Sequence, residues 1–202
     1  TEHPGSWWPR WAAWLRDRPG LSLSALSRTT LFSRTHHDTR AVALAADHDE
    51  LVEALDALAA GREHARVSTG VASRRGKVVF VFPGQGSQWL GMGRALLAQS
   101  AAFREAVEAC DAALSPLTGW SVLALLSDPT DPRLPPLSRV DVVQPALFAM
   151  GIGLAAAWRA LGVEPDAVVG HSQGEVTAAV VASALSLEDG ARVVVARSRA
   201  VL

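Results

Sequence analysis

Cysteine occurs once in these 202 residues, at Cys110, so no disulfide framework or thiolate metal cluster can be built, and a reducing, cytoplasmic setting is expected. Net charge is equally scarce. Nineteen basic residues stand against twenty acidic ones, which leaves no field to hold a nucleic acid or an anionic lipid surface; small molecules and other proteins are the expected partners. The longest apolar runs are broken by Gly, Arg or Asp, and residues 1–14 lack the layout of a signal peptide, so no membrane association is expected. Lysine is missing except for Lys77, the other basic residues being arginine, a bias read as genome base composition. What is present is an apolar share of 49%, enough for a packed core in a length that suits one domain or one and a half.

Residues 7–18 set Trp7, Trp8, Trp11, Trp14 and Leu15 on one stripe at helical spacing, ended by Pro19-Gly20, and packing on a core is the favoured reading over an aromatic binding surface. Residues 40–46 read as a short buried strand. Residues 47–60 read as a capped amphipathic helix, with Leu51, Leu55 and Leu58 on one face and Gly61 as its stop. These form a small αβ unit over residues 1–70, and the polar, basic, glycine-bearing residues 68–77 read as a linker.

The texture changes at Lys77. Residues 78–82 are a continuous apolar run bounded by Pro83-Gly84, as expected of a central parallel strand buried on both faces. Helical patterns follow over residues 89–99 and 102–114, then a proline-rich loop over 128–136 and an alanine-rich helix over 145–161. Residues 167–169 form a second buried strand ending at Gly170, and two more helices are expected over 174–184 and 187–201. Strands alternating with helices indicate an α/β fold with a parallel sheet.

Gly170-His171-Ser172-Gln173-Gly174 sits between an expected strand and an expected helix, the context that a G-x-S-x-G nucleophile elbow requires. Two glycines permit a tight turn that exposes the Ser172 hydroxyl above the sheet, and the Gln173 backbone N–H, at a helix N-terminus, can donate to an oxyanion. A second glycine-rich loop, Pro83-Gly84-Gln85-Gly86-Ser87-Gln88, follows the first apolar strand. It lacks the spacing of dinucleotide and P-loop motifs, so no nucleotide site is expected. It either supplies a second oxyanion donor, the Gln85 backbone N–H, or is a tight turn without chemistry.

Together, Gly84-Gln85-Gly86-Ser87-Gln88 and Gly170-His171-Ser172-Gln173-Gly174-Glu175 resemble the malonyl-type acyltransferase family, and Arg139-Val140-Asp141-Val142-Val143-Gln144-Pro145 resembles a segment of modular polyketide synthase acyltransferase domains. The resemblance covers residues 77–202. It implies an α/β-hydrolase-like acyltransferase core, with residues 1–70 similar to part of the αβ linker that follows a ketosynthase, although the Trp-rich opening departs from that linker. It also implies transfer of an extender acyl group from coenzyme A, through an ester on Ser172, to the phosphopantetheine thiol of an acyl carrier protein. Gln85 and Gln173 would form the oxyanion hole, Gln144 would line the pocket, Arg197 would pair with the free carboxylate of the substrate, and His171 would orient or pack. No permanently bound cofactor and no metal are implied. The implied partners are the carrier protein, an adjacent ketosynthase and methylmalonyl- or malonyl-coenzyme A, in a homodimeric parent protein. Gln173, together with residues 139–144, resembles domains that select methylmalonyl, whereas malonyl-selecting domains usually carry a branched aliphatic residue in place of Gln173.

The family's catalytic histidine lies on the order of a hundred residues beyond its serine, whereas this sequence ends thirty residues after Ser172. The expectation is therefore a piece of a larger polypeptide without that base and without the family's ferredoxin-like small subdomain. His3, His36, His37, His48 and His64 precede the expected catalytic fold and are not expected to replace it. Two other readings remain: an α/β-hydrolase esterase, which has no use for a carboxylate-binding arginine, and a non-catalytic structural fragment of a synthase.

Overall fold

A computed structural model describes residues 8–72 and 76–202, in two compact units, Thr1–Arg75 and Gly76–Leu202. Trp7 and His3 lie outside the described residues.

The first unit comprises α1 (Trp8–Arg16), α2 (Leu23–Phe32), β1 (Thr39–Ala43), α3 (His48–Ala59) and β2 (Val67–Val71). Its core gathers Ala12, Leu15 and Leu55, with Trp8, Trp11, Leu51 and Leu58 packed against them, and Arg16 of α1 pairs with Asp56 of α3. Asp47 caps α3 by accepting from the Glu50 N–H at 2.9 Å, while Glu50 Oε2 accepts from the Ala46 N–H at 2.8 Å. This near-reciprocal cap satisfies two donors that the first turn would leave unpaired. Gly61 stops the helix at φ 64°, a left-handed conformation that suits glycine.

Three expectations need correction in this unit. Residues 68–71, expected as linker, belong to strand β2, which is antiparallel to β1 with Thr39 opposite Val71 and Ala43 opposite Val67; pairing with β1 overrides their polar, glycine-bearing composition. β1 itself is not buried, since its side chains alternate between exposed and half-buried as in a two-stranded sheet covered on one side. Trp14 is turned outward and 41% exposed, with the Arg18 guanidinium 4.5 Å from its ring centroid, so it belongs to a cation–π pair rather than to the core stripe.

The second unit holds β3 (Val79–Phe82), α4 (Arg94–Gln99), α5 (Ala101–Thr118), α6 (Val122–Ser127), α7 (Val140–Ala160), β4 (Ala167–Gly170), α8 (Gly174–Val181) and α9 (Leu187–Ala200). α5, α7 and α9 share one core built on Phe103, Val107, Cys110, Phe148, Val143 and Val194. β3 and β4 pair in parallel, Val79 beside Ala167 and Phe82 beside Gly170. Their carboxyl ends, where the two motif loops begin, therefore lie side by side. Phe82 seals the sheet against Ala155, Ala178 and Val181.

β3 is not buried on both faces as expected: Val79 and Val81 are 47% and 68% exposed, because α7 and α8 cover one face of the described sheet. α7, at 21 residues, is also long and apolar enough by length and composition to cross a membrane, contrary to the expectation that the apolar runs are too broken for it. Val142, Val143, Phe148 and Ala149 on it are buried in the unit's own core, which accounts for that composition without a bilayer.

Candidate active site

β4 runs into α8 through a turn in which Ser172 adopts φ 56°. A non-glycine residue with positive φ is uncommon and holds local strain, which persists only where the surroundings fix it. They do so here. The His171 N–H donates to Phe82 O at 3.0 Å, the Gly174 N–H to His171 O at 2.9 Å and the Glu175 N–H to Ser172 O at 3.1 Å. The flanking glycines are dictated by close approach: a Cβ on Gly170 would stand 2.5 Å from the Gly174 carbonyl carbon, and one on Gly174 would stand 2.7 Å from Pro83 O. No larger residue fits either place without moving backbone.

The loop after β3 lies against this turn. A Cβ on Gly84 would be 2.9 Å from His171 Nδ1 and 3.4 Å from Ser172 Cβ. The loop is closed by the Gly86 N–H donating to Gln88 Oε1 at 2.8 Å, and tied to the elbow by Gln173 Nε2 donating to Pro83 O at 3.1 Å. Among the described residues, the backbone N–H groups of Gln85 and Gln173 have no hydrogen-bond acceptor. Two free donors on adjoining loops are what stabilisation of an oxyanion demands.

Arg197, in the last turn of α9, reaches across the same turn. Its Nη2 donates to Ser172 Oγ at 2.8 Å and its Nη1 to Gln144 Oε1 at 2.8 Å. Gln144 projects from α7 and is 4% exposed, so its amide holds the guanidinium from the buried side. Arginine has no acceptor atom; Ser172 Oγ must therefore accept, and its own proton remains to be given away. Among the described residues, Arg197 is the hydroxyl's one side-chain partner.

All six residues expected to form a site, Gln85, Gln144, His171, Ser172, Gln173 and Arg197, lie around this one turn. Sequence reasoning missed two contacts, Arg197 on Ser172 and the Gln173 side chain on Pro83, both between residues far apart in the sequence. A groove of about 420 Å³ beside β3 is lined by Pro83, Ser87, Trp89, Met150, Gln173 and Thr177 but not by Ser172 or Arg197. Displaced pKa values also lie off the turn. Hydrogen bonds from Arg133 hold the Asp131 carboxyl down at about 2, the Arg139 guanidinium lowers that of Asp141, and burial followed by the charge of Asp111 pushes the Cys110 thiol up to about 12.

Residues 79–202 match the family described as the acyl transferase domain. The spectinabilin polyketide synthase system protein NorC of Streptomyces orinoci is 54% identical over 183 residues, which is 90% of this chain and 8% of NorC. Erythronolide synthase EryA2 of Saccharopolyspora erythraea is 48% identical over 187 residues, 92% of this chain and 5% of that synthase. Among solved structures, the acyltransferase domain from module 8 of the salinomycin polyketide synthase superposes with a TM-score of 0.83 at 43% identity, over 96% of this chain and 46% of that one. The acyltransferase domain of SpnD in complex with 2-(pent-4-yn-1-yl)malonyl gives 0.74 at 29%, over 98% and 47%. The chain thus spans less than a tenth of these synthases and about half of these solved domains. From the matched residues 79–202, which include both loops and Arg197, the chain belongs to the acyl transferase domain family, and its relatives are polyketide synthases.

Proposed function

We propose that Ser172 carries an extender acyl group from coenzyme A to the phosphopantetheine thiol of an acyl carrier protein during polyketide synthesis. The observation that carries this reading is the Arg197 guanidinium on Ser172 Oγ at 2.8 Å. A forked cation recognises a carboxylate through two parallel N–H donors, and one beside the nucleophile suits an acyl group with a free carboxylate at its far end. Ser172 Oγ attacks the thioester carbon, the C–S bond breaks, and the proton lost from Oγ ends on the sulfur of coenzyme A, which leaves as the thiol. The backbone N–H groups of Gln85 and Gln173 bind the oxyanion of this step and of the transfer that follows; each such donor is worth roughly 3–4 kcal/mol of barrier. Gln144 holds Arg197 in place, and His171 packs beneath Gly84.

Within this reading the extender is methylmalonyl, on the resemblance of Gln173 and residues 139–144 to methylmalonyl-selecting domains. Because the Gln173 side chain is turned to Pro83, it bears on that choice by placing the loop rather than by touching the methyl group. The first unit serves as part of a ketosynthase–acyltransferase linker, and the parent protein is a cytoplasmic homodimer. An esterase would pass the acyl group to water; Arg197 disfavours that alternative. The discriminating experiment supplies malonyl-type and neutral acyl thioesters to the full polypeptide that carries these residues, with a phosphopantetheinylated carrier protein present. Acyl groups with a free carboxylate should appear on the carrier thiol. Release of neutral acids into water, with the carrier unloaded, would overturn the reading.

A further inference from the structure

The ladder between β3 and β4 ends at Phe82 beside Gly170, with the His171 N–H on Phe82 O as its last rung. Pro83 comes next and has no N–H, so its carbonyl is the one backbone group by which the turn can be held to its neighbour. That carbonyl is taken by a side chain, Gln173 Nε2, at 3.1 Å. Gln173 is 2% exposed, and its Oε1 is buried with no hydrogen-bond partner. An unpaired buried acceptor works against stability. A residue kept for packing alone would be better as an apolar side chain of the same shape.

We propose that the Gln173 side chain is a positioning residue: by holding Pro83 O it fixes the Gln85 loop against the Ser172 elbow and so sets the spacing of the two backbone N–H donors. Its backbone and side chain then have separate duties, the N–H toward the oxyanion and the amide toward the loop that bears the second donor. The inference rests on the proposed acyl transfer. The tie acts on the transition state, where charge on the oxygen develops, and not on substrate affinity.

Gln173→Met tests this, since it keeps the length and volume of the side chain while deleting both the donor and the unpaired acceptor. Assayed in the full polypeptide, single-turnover acylation of Ser172 should fall at least about tenfold, with the 10²–10³ that complete loss of an oxyanion donor brings as the upper bound. KM for the acyl thioester should stay unchanged, and the melting temperature should hold or rise. Gln173→Asn, with its amide one methylene too short to reach, should lose as much. Wild-type rates in Gln173→Met, or a loss confined to KM, would overturn the proposal. So would failure of both variants to fold, which would assign Gln173 to the core. If the wild-type protein itself forms no ester at Ser172, the acyl-transfer reading fails and takes the tie with it; if wild type and Gln173→Met acylate equally, the tie alone fails.

Discussion

Arg197 Nη2 and Ser172 Oγ share a hydrogen bond of 2.8 Å, so the site's forked cation and its candidate nucleophile are direct neighbours. A carboxylate bound by Arg197 therefore brings the acyl carbon of a short, malonyl-type thioester close to Oγ. Arg197→Ala should lower kcat/KM for malonyl and methylmalonyl thioesters alike, because both carry that carboxylate. A lost charged hydrogen bond is worth roughly 1.5–3 kcal/mol, or about 10- to 150-fold. Arg197→Lys should not restore the rate, since a point charge cannot bridge Gln144 and a carboxylate as the fork does. Initial rates with both thioesters check this; a loss for only one of them would show that Arg197 reads something other than the shared carboxylate.

Gly174→Ala should disrupt the turn that places Ser172. The added Cβ would stand 2.7 Å from Pro83 O, against backbone that cannot rotate away as a side chain can. Overpacking of this kind costs about 1–3 kcal/mol and more where backbone must move. A lower denaturation midpoint, accompanied by loss of Ser172 acylation, is the expected outcome. Unchanged stability would mean that the β3 loop is looser than its contacts indicate.

Much of this site was legible because its constraints are local. Gly170 and Gly174 flank Ser172 at a spacing that a strand-to-helix turn alone explains, and Pro83-Gly84 ends an apolar run in the same way. Helix ends with side-chain caps, such as Asp47 before α3, were similarly readable. What escaped depended on distant partners. β2 has a loop-like composition and becomes a strand through pairing with β1. α2 has no buried residue, so no apolar stripe announced it. α7 begins at Val140, five residues before Pro145, where the alanine-rich helical pattern was expected to start. The hand-offs from Arg197 to Ser172 and from Gln173 to Pro83 span 25 and 90 residues and leave no local trace.

Cys110 supplies a pH test of the core. Its thiol is fully buried, and its pKa is raised from 9.0 to about 12 by desolvation and then by Asp111. The unfolded chain deprotonates near 9.0 while the folded one keeps its proton, so the unfolded state binds fewer protons between these values and stability falls as pH rises. The contribution is complete below about pH 9 and is lost as pH climbs toward about 12, up to a few kcal/mol in all. Cys110→Ala should flatten the alkaline part of the stability curve. In the native protein at pH 8, a thiol reagent should label Cys110 only at the rate of unfolding; rapid labelling would contradict its burial.

Extender choice is tested by competition. With methylmalonyl- and malonyl-coenzyme A present together at equal concentration, acyl-Ser172 should carry mainly methylmalonyl. Recognition of a single methyl group is worth only roughly 1–3 kcal/mol, so some malonyl ester is expected beside it. An excess of malonyl on Ser172 would overturn the assignment.

The most direct test of the account is the mass of the Ser172 peptide after brief exposure of the full polypeptide to a malonyl-type thioester. The strained turn at φ 56°, the two unpaired backbone donors and the arginine on Oγ together predict an acyl ester on Ser172, absent in Ser172→Ala and discharged when a carrier protein with a free phosphopantetheine thiol is added. An ester on another residue, or acylated carrier formed at the wild-type rate by Ser172→Ala, would contradict it.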